Sequence, residues 1–501
     1  MPAAGHHASS RIQTLEMILP PIIQGVDTPT DKLFFAHYIH RLSDKLTVQG
    51  KGVNAFRDEM IPMAVHHVGL MHSILSLSAA SIHWDTPYGE NLLRRVPGVT
   101  VRDLEDRGHY HQDAALEESR HDISLELAAR QKGAQPDPLI MKVRFGQLVC
   151  FVVKGMAEGN TEGAHRLHIK AYETYCVDTR DAPAEENSFM NFIREFFQYH
   201  MISDQLLIGP PNAYPALSED EFWISPETQM IPPSLPNYDN PHGPLFGLQH
   251  DIYMSLTHRI GSLRNDIRMR MELNEEPHVN YQALHNAAQI DTEIRNWTDP
   301  PEPPQSHAEE STSDKKIRER AEKIYSTGVL YKQMLWVYLF RTVYTPSSNA
   351  PSGFLQLRAS NGSQGKREGD ANPLANDPRI KQVVDHGIQL LEAFEKDDPC
   401  QTVLLSPAFI IGCSCFREHQ RDAIRKVVKK IKNYTTLRNA DPALRVLEEV
   451  WRRMDGQGES CKQGGIEFVL RNRKGERDGG RESSWDWEKI AREMEVDFLA
   501  A

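Results

Sequence analysis

The residues of this chain that could do chemistry are its cysteines, histidines and carboxylates, and their spacing decides what each can do. Cys413 and Cys415 invite a metal, since paired thiolates are a common half of a zinc site. On a helix, however, residues two apart point about 200° from each other, so both read as small core fillers. Glu118 with His121, and Glu162 with His165, match the Glu-x-x-His element of di-iron bundles. Among 22 histidines, about one or two such matches arise by chance, and Gly159 and Gly163 weaken a rigid helical site. We therefore assign no metal. His66, His67 and His72 lie in one apolar stretch and read as one or two satisfied core histidines and one surface residue. No G-x-S-x-G elbow, phosphate loop, dinucleotide fingerprint or H-E-x-x-H motif occurs. That silence argues against the common enzyme classes: no catalytic, metal or DNA-binding residue is assigned, no cofactor is expected, and ligand contacts stay unassigned.

The elements that would position these residues are helical. Ser406 before Pro407 reads as a helix start, followed by the apolar run Phe409, Ile410, Ile411 and Phe416. Ile424, Val427, Val428 and Ile431 then repeat at three-and-four spacing, with Arg421, Arg425, Lys426, Lys429, Lys430 and Lys432 on the remaining, wet face. That basic stripe reads as solvated helix surface rather than a phosphate or import site, as does R-N-R-K-G-E-R at 471–477. Asp441 and Pro442 repeat the start signal, and Leu444, Leu447, Trp451 and Met454 follow to a stop at Asp455 and Gly456. Trp451, Trp485 and Trp487 read as core rather than pocket lining.

Upstream, helical patterns begin at Asp31 and cover Ile61–Ser81, which is apolar nearly all round and so is expected to be buried. They continue over His109–Arg130, from Asp137 and Pro138 to Gly155, over Gly159–Cys176 and over Asn187–Ile208. After a proline-rich stretch from Gly209 to Gly247, read as a long covering loop between two halves, come Leu248–Leu273, Tyr281–Trp297, Ile317–Tyr344 and Ile380–Phe394. No alternating strand or βαβ rhythm appears, apart from a short strand expected at Ile466–Leu470. The expected fold is all-α: a loose lead over 1–28, then one helical domain over 29–501 packed in two halves, with polar inserts near 299–315, 347–376 and 456–480.

The order of residues resembles the fungal-specific transcription factor domain, in the branch of regulators of arginine and sterol metabolism. S-P-A-F-I-I-G-C at 406–413, Arg417, Arg421, A-L-R-V-L-E-E-V-W ending at Trp451, and W-D-W-E-K-I-A-R-E-M at 485–494 carry the likeness. M-I-P-M-A-V-H-H-V-G-L-M-H-S-I-L-S-L-S-A-A at 60–80 extends it over most of the chain. Such regulators usually carry a binuclear zinc cluster of six closely spaced cysteines. Here the cysteines fall at 150, 176, 400, 413, 415 and 461, too dispersed to converge on two metals. This departure leaves either a protein that acts without its own DNA contact, the expectation taken here, or a chain shortened at its start. The resemblance implies an effector domain of a fungal metabolic pathway, such as secondary metabolism, in the nucleus and also the cytoplasm. It responds to a small hydrophobic metabolite and works with other transcription factors or coactivators as a homo- or heterodimer. A partner-binding scaffold for a zinc-cluster factor is the second reading and an unfamiliar metabolic enzyme the third.

Composition is consistent with this. The 57 Lys and Arg against 69 Asp and Glu leave a formal charge of −12, the wrong balance for a duplex-binding face. Sparse cysteines suit a reducing compartment. M-P-A-A-G-H-H-A-S-S-R lacks a signal-peptide layout, and no apolar run is long enough for a membrane span. The sequons at Asn296, Asn361 and Asn433 are therefore expected to carry no glycan.

Overall fold

Thr28 starts the helical array. Its hydroxyl accepts the Asp31 N–H at 3.1 Å and the Asp31 carboxylate accepts the Thr28 N–H at 2.9 Å, a reciprocal cap with Pro29 in the first turn. Helix α1 (Pro29–His37) follows and runs on through a π turn (Tyr38–Leu42) and a 3-10 turn (Ser43–Lys45). The computed structural model describes residues 23–52, 54–133, 137–178, 188–207, 245–247, 250–273, 280–297, 312–344, 378–463 and 487–500. Among the described residues the fold is all-α, and the one β feature is an isolated parallel bridge between Glu162 and Asp497.

The front half comprises α2 (Ala55–Asp58), α3 (Met60–His66), α4 (Val68–Ala80), α5 (Pro87–Leu93), α6 (Val101–Gln131), α7 (Pro138–Glu158), α8 (Ala164–Asp178) and α9 (Ser188–Leu207). The rear half comprises α10 (His250–Glu272), α11 (Tyr281–Asn296), α12 (Thr312–Leu339, continued by a π turn Phe340–Tyr344) and α13 (Pro378–Ala393). It closes with α14 (Leu405–Gly412), α15 (Glu418–Thr435), α16 (Ala440–Gln463) and α17 (Trp487–Glu493). At the centre of the front half α4 is buried from Gly69 to Ser78 and packs on α6 and α7, as its all-round apolar sequence requires. Helix α14 plays the same part behind: every residue from Leu405 to Gly412 is buried, against α12, α15 and α16. Helix α9 touches α7 and α8 in front and α10 and α14 behind, so one hydrophobic core runs through both halves.

Several boundaries differ from the sequence expectation for identifiable reasons. The Ile61–Ser81 pattern is two helices, broken where extended His67 turns its Nδ1 to accept the Leu70 N–H at 3.3 Å. The Trp84–Val101 link contains α5, started by Thr86 and Pro87, and α6 begins at Val101 rather than His109. After Gly159, left-handed at φ 68°, helix resumes only at Ala164. Ser406 is no cap: the Leu404 carbonyl accepts the first helical bond, from Ala408, and the Ser406 hydroxyl donates to the Ala500 carbonyl. Asp441 is likewise inside α16. The Asn439 carbonyl accepts from Ala443 at 3.4 Å, and α16 continues past Asp455 and Gly456 into the stretch expected as a polar insert. The insert placed near 299–315 overlaps the start of α12 at Thr312. Leu245 and Phe246, the end of the expected covering loop, are buried rather than draped on the surface. The strand at Ile466–Leu470, the 347–376 insert, most of the 1–28 lead, Trp485 and the basic 471–477 run lie outside the described residues.

Candidate functional site

Two sets of largely buried polar groups drawn from distant parts of the chain lie where the halves meet. On α9, Tyr199 and Ser203 are one turn apart and face Tyr253 and Thr257 of α10, also one turn apart, and Tyr331 of α12. All five are buried. The Tyr331 hydroxyl donates to the Val403 carbonyl at 2.7 Å, so the Tyr199 hydroxyl is the donor in the 2.8 Å contact between the two phenols. Burial pushes the Tyr199 phenol up to about 12, and those of Tyr253 and Tyr331 well above the usual value. A relay of neutral hydroxyls thus ties α9 to α12 and to the turn before α14. Beside it, Glu195 accepts the backbone N–H groups of Leu245 (3.0 Å) and Phe246 (2.9 Å), and Phe246 stacks on Tyr199 at 4.0 Å. Burial raises the Glu195 carboxyl to about 7 despite those donors.

A charged cluster sits on the same seam. Arg166 of α8 grips Asp204 of α9 through two bonds, at 2.9 and 2.8 Å, and also meets the Asp497 carboxylate near the end of the described chain. The His165 Nε2 lies 2.9 Å from Asp204. Burial opposes ionisation of Asp204, but His165 and Arg166 outweigh it and hold that carboxyl below its ordinary range, whereas burial raises Asp497. His165, Asp204 and Asp497 are close enough to share a metal ion. The Arg166 guanidinium already stands between the two carboxylates and bonds both, so the arrangement reads as a three-element ion-pair junction rather than a metal centre.

The residues singled out by spacing fall elsewhere or serve packing. Glu118 and His121 lie on α6 with His121 exposed, and Glu162 is exposed in the α7–α8 turn, so the two Glu-x-x-His elements do not converge. His66 is exposed, His67 is 3.3 Å from Asp122, and His72 is buried with its Nδ1 2.8 Å from that of His111. His111 in turn meets Asp31, which Arg107 also grips at 2.8 and 2.7 Å. This chain pins α1 and α4 to α6. Cys413 and Cys415 are fully buried, beyond the end of α14 rather than on it, and are core fillers. Trp451 is buried and donates to the Gly412 carbonyl at 2.9 Å, and Trp487 is buried against Tyr338.

The basic stripe is largely spoken for. Arg425 reaches Glu448, Glu418 and Asp422, Lys430 closes the end of α13 on the Glu392 and Phe394 carbonyls, and Lys432 meets Asp441. Arg421, expected on the wet face, is buried. It bonds the Cys415 carbonyl, which the non-helical link between α14 and α15 leaves in need of a donor, and both Asp455 oxygens. Of the stripe, Lys426 and Lys429 stay exposed. A cleft between α13 and the α14–α15 link, lined by Ile380, Val384, Ser414, Phe416 and Gln420, has room for about one water molecule.

Sequence reasoning missed Arg166, Asp204, Asp497, Tyr199 and Tyr331. No spacing rule links residue 166 to 204 or 497, and the one available signal was polar residues set at helical spacing inside otherwise apolar faces, as at 199 and 203 or 253 and 257.

A family model described as the fungal specific transcription factor domain matches residues 32–501. The chain belongs to that family. No curated protein and no solved structure matches it. The fungal-specific transcription factor domain therefore contains both the hydroxyl relay and the Arg166 junction, and a role in transcriptional regulation follows from membership. The binuclear zinc cluster is not built among the described residues. Cys150, Cys400, Cys413 and Cys415 are buried and in no disulfide, and burial pushes the Cys400 thiol up to about 12, away from the thiolate a metal needs. No helix among the described residues is long and apolar enough to cross a membrane.

Proposed function

We propose that this chain is the signal-receiving effector domain of a nuclear regulator of a fungal metabolic pathway. It controls activation without itself contacting DNA and without catalysis. The observation that supports this best is the shared interior. The Tyr199–Tyr331–Val403 relay and the Arg166–Asp204–Asp497 junction each span elements far apart in sequence, so a change of packing in one half must be felt in the other. A small hydrophobic metabolite that prefers one of two packings would shift their populations. The absence of DNA contact is supported by the net charge of −12 and by the acidic partners on the basic stripe of α15.

The test is a fusion of the full chain to a heterologous DNA-binding domain placed upstream of a reporter. Reporter output should depend on the chain and change with the metabolic state of the cell; output equal to that of the DNA-binding domain alone would refute the proposal.

A scaffold reading, in which the chain forms homo- or heterodimers with other transcription factors or coactivators, has one observation of its own. The far end of α6 and the start of α7 leave Ile123, Leu125, Leu127 and Leu139 exposed. Stoichiometric capture of a zinc-cluster regulator, lost when Leu125 and Leu127 are changed to Glu, would favour it over the sensor.

A further inference from the structure

Residues 494–500 leave α17 through a Schellman turn, in which Val496 N–H donates to the Ala491 carbonyl at 2.9 Å and Glu495 N–H to that of Arg492 at 3.0 Å. The turn holds Glu495 at φ 55°, left-handed, where glycine is the usual occupant. Beyond this strained turn the segment is non-helical and touches both halves. Asp497 pairs through its backbone with the Thr161 carbonyl (2.9 Å) and the Gly163 N–H (3.2 Å), while its carboxylate meets Arg166. Phe498 packs edge-on to Phe409 at 5.7 Å. Asn439 donates to the Leu499 carbonyl at 2.9 Å and Ser406 to that of Ala500. Val496, Phe498, Leu499 and Ala500 are buried.

The division of labour is that of a peptide held by strand-like pairing. Backbone groups take most of the polar contacts, whereas side-chain identity is read at Asp497 by a cation and at Phe498 by an apolar face. Because the pairing is a single bridge and not a ladder, the segment can leave as one local unit, by breaking the five polar contacts just named and exposing Val496, Phe498 and Leu499. A second strained residue, Thr436 at φ 61°, sits close to Asn439 on the rear wall. Non-glycine residues in this conformation mark places where the surroundings impose the backbone.

We propose that the trough formed by the 161–166 turn, Ser406, Phe409 and Asn439 is a peptide-docking groove that the chain fills with its own 494–500 segment. In trans it accepts an extended segment of a partner protein bearing an aspartate followed by an aromatic and an aliphatic residue. The groove stands on its own geometry and does not depend on the regulatory reading. If that reading also holds, exchange of the occupant unfastens α8 and α9 from α14 and α16.

The test uses the full chain carrying Asp497→Asn, which weakens the resident segment and leaves the groove intact, and a fluorescent peptide of residues 494–500. Fluorescence anisotropy should show the peptide binding this variant at least about tenfold more tightly than the wild-type chain, where the tethered segment competes at an effective concentration on the order of millimolar. Asp497→Asn in the peptide should weaken binding at least about tenfold, through loss of the charge-assisted bond to Arg166. Equal binding to both chains, no binding, or indifference to the aspartate overturns the proposal. Hydrogen exchange on the wild-type chain gives a second reading that needs no variant to fold. The Gly163 and Asp497 amides, each bonded across the bridge, should exchange by local opening, well before the Cys413 amide at the end of α14. Exchange of all three at the same slow rate would mean that the resident segment does not leave, and would overturn the proposal equally.

Discussion

Replacing Arg166 by methionine tests whether the junction holds the halves together. The Arg166 side chain is 8% exposed and Asp204 12%, and they share two hydrogen bonds while a third reaches Asp497. Methionine fills much of the same volume, so the loss is mainly electrostatic. It leaves the buried Asp204 charge with His165 as its one remaining partner in the cluster, and strands Asp497. Breaking a buried pair from one side costs about 3–5 kcal/mol. Because Asp497 is partly exposed, the low end applies, about 3 kcal/mol. Urea unfolding of the full chain should show this as a lower midpoint at unchanged slope. The double variant Arg166→Met, Asp204→Asn should recover at least about 1 kcal/mol relative to the sum of the single changes, since the more deeply buried of the two carboxylates that lose Arg166 is gone. A loss under about 1 kcal/mol for Arg166→Met, or strictly additive single changes, would refute the buried-junction argument.

Three further outcomes follow from the same geometry. Burial raises the Glu195 carboxyl from 4.5 to about 7 in the folded chain. The folded state thus binds the extra proton between those values, and this group's contribution to stability falls as pH rises from about 4.5 to 7, by on the order of 3 kcal/mol. Glu195→Gln should therefore be less stable than wild type near pH 5 or closer to it, and gain relative to wild type by pH 8; a pH-independent difference between the two would contradict the assignment. Trp451→Ala empties a buried site and leaves the Gly412 carbonyl with the Cys415 N–H in place of two donors, so chemical denaturation should show a loss of about 3–5 kcal/mol, and a loss below about 1 kcal/mol would place Trp451 at a pliable surface instead. Glu495→Gly relieves the left-handed strain at φ 55° and should raise the unfolding free energy by up to about 1 kcal/mol, read as a higher urea midpoint, the strain released being partly offset by glycine's freedom in the unfolded chain; destabilisation would mean that the Glu495 side chain makes a contact worth more than the strain.

How much of this was legible in the sequence depends on the range of the interaction. Helix faces are local, so the Ile424, Val427, Val428 and Ile431 stripe and the α4 part of the apolar Ile61–Ser81 stretch could be read directly and are buried as read, whereas α3, the first part of that stretch, buries only Met60 and Ala64 and leaves Pro62 and His66 exposed. Caps are also local, but they fail where a distant backbone competes for the same side chain. Ser406 looked like a cap and is instead engaged by Ala500, and Asn439, whose carbonyl takes the first bond of α16, spends its side chain on Leu499. The same competition from the C-terminal segment explains why the junction was invisible. Arg166, Asp204 and Asp497 meet through the tertiary fold alone, and their types are ordinary for helix surfaces until burial pairs them. Arg421 illustrates the converse: an arginine placed on the wet side by periodicity is drawn inward by the carbonyl of Cys415.

The most direct test of the account is the tethered reporter carrying full chains that differ at the seam between the halves. With a heterologous DNA-binding domain attached, Arg166→Gln and Tyr331→Phe chains at the same cellular abundance as wild type should give a shifted output with a blunted response to metabolic state, because the first loses the charged tie to Asp497 and the second the hydroxyl that accepts from Tyr199, each a contact between the two halves. Wild-type output and response from both variants would contradict the claim that this shared interior carries the regulatory signal.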